Sequence, residues 1–434
     1  MIQRQRKYQL AEKRISIIMT KQFRDKAVSL GKLMNAKSKF AIPLVQCILD
    51  CFEIVFTEEE IDYMLLMKDG CYTPEELMSM WAAKEGHNLS IECFKDNIKA
   101  ADEKEESQNK SHDDVISKYK ILFESIRNKG GIWESSRKGV YDLAPIFPGW
   151  IELYASGELN DNRKKLLLKF SEFEELLKSL NIAPIRAYMN HINTKNMEKE
   201  EGRMSAIVTD RRNDLPERKK KITIGKPVGA EQAVYITGEV MDILNRNKDD
   251  LAVMNCFCRT MEMLKGNSCD YDMPIESCMA VGRMSAQLVK AGVARHVTYE
   301  EAVALVDKLE QKGCIHTLYH YGTYSRNDEI VLCNCCVDCC FLYGSFRKGA
   351  LSQLLLKSYY RPEKVEGISC TGCNRCGQFC PTGATYYDKN ENTLVYKADE
   401  CIGCGQCVTQ CPVSCRQMVK DERNIFIKTR RKGL

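Results

Sequence analysis

No apolar run in this sequence reaches the roughly 18 residues needed to span a bilayer. The nearest, Ala41 to Phe56, is broken by Pro43, Asp50 and Glu53 and reads as a buried helix. The N-terminus is basic but carries no apolar h-region, so no secretory signal is expected and the cytoplasm is the expected compartment. There is no G-x-x-x-x-G-K-[ST] phosphate loop, so ATP-driven chemistry within the chain is not supported. No G-x-G-x-x-G follows an apolar strand, so no dinucleotide site is indicated. The six histidines, His87, His112, His191, His296, His316 and His320, form no H-E-x-x-H pattern. His316 and His320 lie near Cys314; they read as satisfied core or surface residues, with metal ligation as the alternative. A strong charge excess is also missing. Sixty-four basic against 59 acidic residues leaves +5, which alone selects neither nucleic acid nor acidic substrates.

What the chain has in excess is cysteine, 23 of 434 residues. Without a secretory leader, that number implies a reducing compartment and metal ligation rather than disulfides. The densest stretch runs from Cys370 to Cys411. It holds two copies of C-x2-C-x2-C-x3-C-P at an offset of 31 residues. Gly372 and Gly403, and Pro381 and Pro412, recur in place. Glycine leaves room for backbone N–H groups near bound sulfur, and proline turns the chain after the fourth cysteine. Two zinc sites are the competing reading, but zinc uses paired C-x2-C knuckles with four ligands in all.

This stretch, about residues 362 to 420, resembles the bacterial dicluster ferredoxins. The resemblance implies two 4Fe-4S clusters. Cys370, Cys373 and Cys376 with Cys411 would hold one; Cys401, Cys404 and Cys407 with Cys380 would hold the other, since the fourth cysteine of each run ligates the opposite cluster. Oxygen-sensitive centres of this kind suggest an anaerobe. Tyr386, Tyr387 and Tyr396, around a turn between the runs, read either as a shield beside a cluster or as ordinary hairpin aromatics.

Ten further cysteines fall between positions 256 and 340. C-x-C occurs twice, at Cys256-Phe257-Cys258-Arg259 and Cys333-Asn334-Cys335-Cys336, each time after an apolar strand. The expected metal ligands are Cys256, Cys258, Cys269, Cys278, Cys333, Cys335, Cys336 and Cys339. One or two additional iron–sulfur clusters are the preferred reading. Zinc and plain core or redox thiols remain the alternatives.

The rest of the chain divides by pattern into an α+β, multidomain architecture. Residues 1–35 form a basic helical arm, with nine Lys/Arg against two Asp/Glu. It reads as a solvated helix face, or else as a docking surface. Residues 36–156 look like a winged-helix domain. Thr57 with Glu60, and Thr73 with Glu76 behind Pro74, make capping boxes. A helix follows from about Ser90 to Ala101, then a charged loop to Asp114, a helix from Val115 to Asn128, and two short strands joined at Arg137-Lys138-Gly139. The candidate reading helix balances Lys95 and Lys99 against Glu92 and Asp96, which favours a protein–protein or structural module over DNA binding. Residues 157–221 are a helical connector and linker, in which Leu166, Phe170, Phe173, Leu177 and Leu180 form one apolar stripe. Residues 222–361 are an α/β cysteine-rich middle domain, with strands at Ile222–Ile224 and Leu251–Met254. A helix there starts at Thr298, with Glu301 completing its capping box. Residues 362–434 are the ferredoxin-like dicluster domain and a basic tail, Lys428 to Lys432.

The combination of C-x-C-R, C-N-C-C and a C-terminal dicluster run resembles a group of iron–sulfur proteins of anaerobic bacteria and archaea, over roughly residues 40 to 420. It implies an electron-transfer component of an oxidoreductase system and names no substrate. The expected partner is a redox protein, such as a flavoprotein or metalloenzyme. The alternatives are a reductase or reductive activase acting at the middle metal site, and a redox-sensing DNA-binding regulator.

Overall fold

Helices start where the sequence supplies caps. In the computed structural model, which describes residues 20–37, 42–94, 110–135, 137–179, 232–320, 329–347 and 353–428, both expected N-terminal capping boxes are closed. Thr57 Oγ1 accepts from the Glu60 amide at 3.2 Å while Glu60 Oε2 accepts from the Thr57 amide at 2.8 Å. Thr73 and Glu76 repeat the exchange. These caps open α3 (Glu58–Met64) and α4 (Pro74–Lys84). The preceding helix α2 spans Gln46–Val55 rather than starting at Ala41. Proline disfavours helical geometry in the residue before it, so Ile42 cannot join the helix. Helix α1 (Lys21–Lys37) is the described part of the basic arm, and it is not a free solvated helix. Phe23, Ala27, Leu30 and Met34 are buried along one face. Lys26 bridges Glu58 and Asp62 of α3 at 2.7 and 2.6 Å.

Helix α5 (Lys110–Asn128) begins five residues ahead of the expected Val115. A charged, solvated first turn cannot be told from a loop by composition. After it, β1 (Ile132–Glu134) and β2 (Tyr141–Leu143) pair antiparallel. This hairpin is docked on its own chain. The Glu134 amide donates to Gln287, and Arg283 reaches both Glu134 and the Ser135 carbonyl. Short helix α6 (Ile151–Ala155) leads to α7 (Asp161–Ser179). The α7 stripe is buried at Leu166, Leu167, Phe170 and Phe173. The side chains of Leu177 and Leu180, the helix beyond Phe94, the strand expected at Ile222–Ile224, the linker and the basic tail past Lys428 lie outside the described residues.

The middle of the chain is an eight-stranded mixed sheet, β3 (Gln232–Tyr235), β4 (Leu251–Asn255), β5 (Glu276–Gly282), β6 (Arg295–His296), β7 (Ile315–His320), β8 (Glu329–Cys335), β9 (Gln353–Lys364) and β12 (Arg416–Lys428). Its order is β12-β9-β3-β7-β8-β5-β4-β6. Every pairing is antiparallel except β3 with β9. Strand β4 is apolar without alternation because both its faces are covered. Leu251 and Val253 pack with α8 (Thr237–Arg246) and α11 (Tyr299–Gln311), while Ala252 and Met254 pack with α10 (Arg283–Lys290). At α11 the cap is half a box: Thr298 accepts from the Glu301 amide at 3.2 Å, but the Glu301 carboxylate goes to Arg295 instead.

The helical N-terminal part and the sheet share a core. Phe147 and Phe170 pack tilted or edge-to-face against Phe257, from α9 (Phe257–Leu264), and against Phe341, at ring separations of 5.1 to 6.1 Å. Buried Glu174 of α7 accepts from Lys265 and from Ser345 of α12 (Tyr343–Arg347). The stretch read as a connector is thus a packed wedge at its helical end. Strand β9 runs across position 361, so the sheet continues through the expected start of the dicluster domain. No helix among the described residues is long and apolar enough to cross a membrane.

Candidate metal centres

Between β9 and β12 the chain makes α13 (Arg375–Gln378), β10 (Thr385–Asp388), β11 (Thr393–Tyr396) and α14 (Gln406–Thr409). The repeat seen in the sequence is also a repeat of backbone. Asn374 and Gly405, at matching positions, both adopt left-handed geometry at the start of their short helix. The Gly372 amide donates to the Cys370 sulfur and the Gly403 amide to the Cys401 sulfur, each at 3.4 Å.

Cys380, Cys401, Cys404 and Cys407 line one pocket, together with Tyr396 and Gln406. The structure therefore gathers the four thiols expected to share the second cluster. Cys376 lies near Cys370 and Cys373, and Cys411 is 3.5 Å from Cys415, which itself approaches Cys370. Cys415 has no place in the repeat and went unread. Burial pushes the thiols of Cys404 and Cys407 up, the latter to about 12. Two arginines of β12 oppose that cost for the sulfurs they face: Arg416 for Cys376 and Cys407, Arg423 for Cys401. Arg416 Nη1 and Arg423 Nε are buried with no hydrogen-bond partner. Unpaired buried donors are rare. These two face sulfur sites, and bound inorganic sulfide is the acceptor they fit. The residues present therefore fit iron–sulfur clusters.

The middle cysteines are arranged differently. Strands β4, β5 and β8 bring their ends together, and six sulfurs close a ring. In order round it stand Cys256, Cys258, Cys340, Cys335, Cys333 and Cys278, each against the next. Sharing of protons between neighbours sorts them alternately. Cys256, Cys340 and Cys333 are pulled down, Cys333 to about 6, and Cys258, Cys335 and Cys278 are pushed up. Five of the eight expected middle ligands belong to this ring. The sixth member, Cys340, was missed; as the second half of a Cys-Cys pair it offered no spacing signal. The other three, Cys269, Cys336 and Cys339, meet Asp338 in a separate group.

Arg259 of α9 is 2% exposed and lies between the two groups. Within hydrogen-bonding reach it has the carbonyls of Pro274 and Asn334, the Ser277 hydroxyl and the Cys336 sulfur. Its Nε has no partner. Burial opposes its charge, and the sulfurs of Cys256, Cys336 and Cys278 outweigh that. A buried guanidinium needs negative partners, and here sulfur supplies them.

His316 is fully buried and belongs to a satisfied network. Its Nδ1 donates to Asn334 Oδ1 at 2.7 Å and its Nε2 meets Glu310 Oε2 at 3.2 Å. Burial lowers its pKa, but Cys314 and Glu310 more than compensate and hold it up at about 10. Glu310 also accepts from Gln406 and Thr409 of α14. Glu310, Cys314 and His316 are close enough to share an ion, yet these partners give them an ordinary structural role: they fasten the dicluster domain to α11. His320 stands at the end of β7.

A family described as the 4Fe-4S dicluster domain matches residues 363–412. This segment is thus an iron–sulfur domain of the ferredoxin type, and iron–sulfur electron transfer is its chemistry. No curated protein and no solved structure matches the chain.

Proposed function

We propose that the protein carries single electrons at low potential between a solvent-facing partner and a buried metal centre in its middle domain. Two 4Fe-4S clusters, bound by the eight cysteines of the repeat, supply reversible one-electron reduction. The observation that carries the reading is Tyr343. It is fully buried and stands next to Cys404 on one side and to Cys335 and Cys340 of the thiol ring on the other. Cys404, Cys335 and Cys340 pack around it in one apolar cluster with Val234 and Ile402. The two sulfur sites are therefore joined by packed protein that excludes water. At the other end Cys370 and Cys373 are exposed, where a redox partner can approach.

The six-thiol ring exceeds what one tetrahedral ion or one cubane takes, four ligands each. It suits a polynuclear centre, and additional iron–sulfur is the preferred occupant. Iron and inorganic sulfide counted on protein purified without air test this. About eight of each would confine the clusters to the dicluster domain; a clear excess of both is expected. In the proposed arrangement Cys404→Ser leaves the ring's metal in place but slows its reduction by an external donor, followed by EPR. Unchanged reduction of the ring in that variant would reject the route.

A further inference from the structure

Cys269, Cys336 and Cys339 stay out of the ring for a geometric reason. Together with Asp338 they offer four ligand atoms that all lie within 4.8 Å of one another. The Cys269 sulfur is 3.6 Å from Asp338 Oδ1. Metal–sulfur bonds of about 2.3 Å put the corners of a tetrahedral single-ion site about 3.8 Å apart. A cubane holds its cysteine sulfurs much farther apart, because irons and sulfides stand between them.

We propose that Cys269, Cys336, Cys339 and Asp338 hold one tetrahedral divalent ion, zinc or ferrous iron, separate from any iron–sulfur cluster. This rests on the reading of the middle domain as metal-binding and narrows it. Cys336-Val337-Asp338-Cys339 is a C-x2-C knuckle, the usual loop for such an ion, and Cys269 closes it from the loop after α9. Outer partners are in place. The Asp270 amide donates to Asp338 Oδ2 at 2.6 Å, which leaves Oδ1 for the ion, and Arg259 reaches the Cys336 sulfur at 3.6 Å. Three thiolates and a carboxylate carry four negative charges; a divalent ion and Arg259 offset three of them.

The test uses full-length protein prepared without air, with zinc, iron and sulfide counted in the wild type, Cys269→Ser and Asp338→Ala. Each variant is expected to lose about one zinc or iron per chain with sulfide unchanged, Asp338→Ala through affinity weakened at least about tenfold. Cobalt(II) loaded into the site should give the visible bands of a tetrahedral thiolate ion, shifted in Asp338→Asn, a near-isosteric change that keeps an acceptor oxygen for the Asp270 amide. Cys404→Ser serves as the contrast: it loses iron and sulfide together and keeps the ion, so failure of the dicluster reading shows separately. Sulfide falling in step with iron in Cys269→Ser, or all variants keeping the wild-type metal content, would overturn the proposal.

Discussion

The two halves of the cysteine repeat have the same spacing, the same turn glycine and the same amide-to-sulfur bond, yet they live in different surroundings. Cys370 and Cys373 are exposed, while Cys401 is buried and Cys404 packs into the middle domain's apolar cluster. The cause is what each glycine meets. A side chain at Gly372 would come within 2.9 Å of the Tyr387 ring, which belongs to the domain's own hairpin. One at Gly403 would overlap Ser358 and the Tyr360 carbonyl on β9. Local sequence builds two equal sites, and docking leaves one facing solvent and packs the other against the sheet.

Several substitutions press on that difference. Gly372 and Gly403 share positive φ, so an alanine at either costs about 1–2 kcal/mol from backbone strain. Gly403→Ala also drives a methyl into the β9 backbone. It is expected to cost several kcal/mol in total and to lose the second cluster, read as half the dicluster iron and sulfide, while Gly372→Ala keeps both. Equal losses would erase the distinction between the halves. Next in size is Gln406→Ala, which removes bonds to Glu310 and the Cys314 carbonyl at 2.9 and 2.6 Å. About 1–3 kcal/mol of stability should go, with the loss seen in denaturant unfolding. The pair His316–Glu310 adds a pH signature beneath the same docking face. The pKa of His316 is raised from 6.5 to about 10, so its contribution is complete below about pH 6.5 and fades as pH rises through 10. Glu310 is shifted the other way, so its share is lost as pH falls below the ordinary carboxylate range. His316→Gln should therefore flatten the alkaline side of a stability–pH curve. The smallest effect is the reference far from both halves: Thr57→Ala costs about 1 kcal/mol through its lost cap and leaves metal content unchanged.

How much of this was legible depends on how local the signal is. Capping boxes at Thr57 and Thr73, the repeat of ligands, and the apolar strand at Leu251 are written within a few residues of themselves. The ring could not be read, because Cys256, Cys278, Cys333 and Cys340 meet only when β4, β5 and β8 align. Arg259 stood in a noted motif, but its service to two sulfur groups needed Cys278 and Cys336 beside it. Arg416 and Arg423 carry no motif at all. Asp338 was hidden between two ligands, where an acidic residue in a loop looks like a solvated one. The arm at Lys21–Lys37 shows the opposite error: its charge drew attention away from Phe23, Leu30 and Met34, which are buried.

The cysteine repeat leaves the sheet at Lys364 and returns at Arg416, and those two residues are register partners across β9 and β12. A domain hung on two hydrogen-bonded neighbours has no swivel. Unlike a carrier on a single flexible tether, it cannot swing out to collect charge and swing back. Its distance to the inner thiols is built in, so on the proposed route electron transfer from different donors should vary with how well each reaches the Cys370 edge and not with any hinge motion.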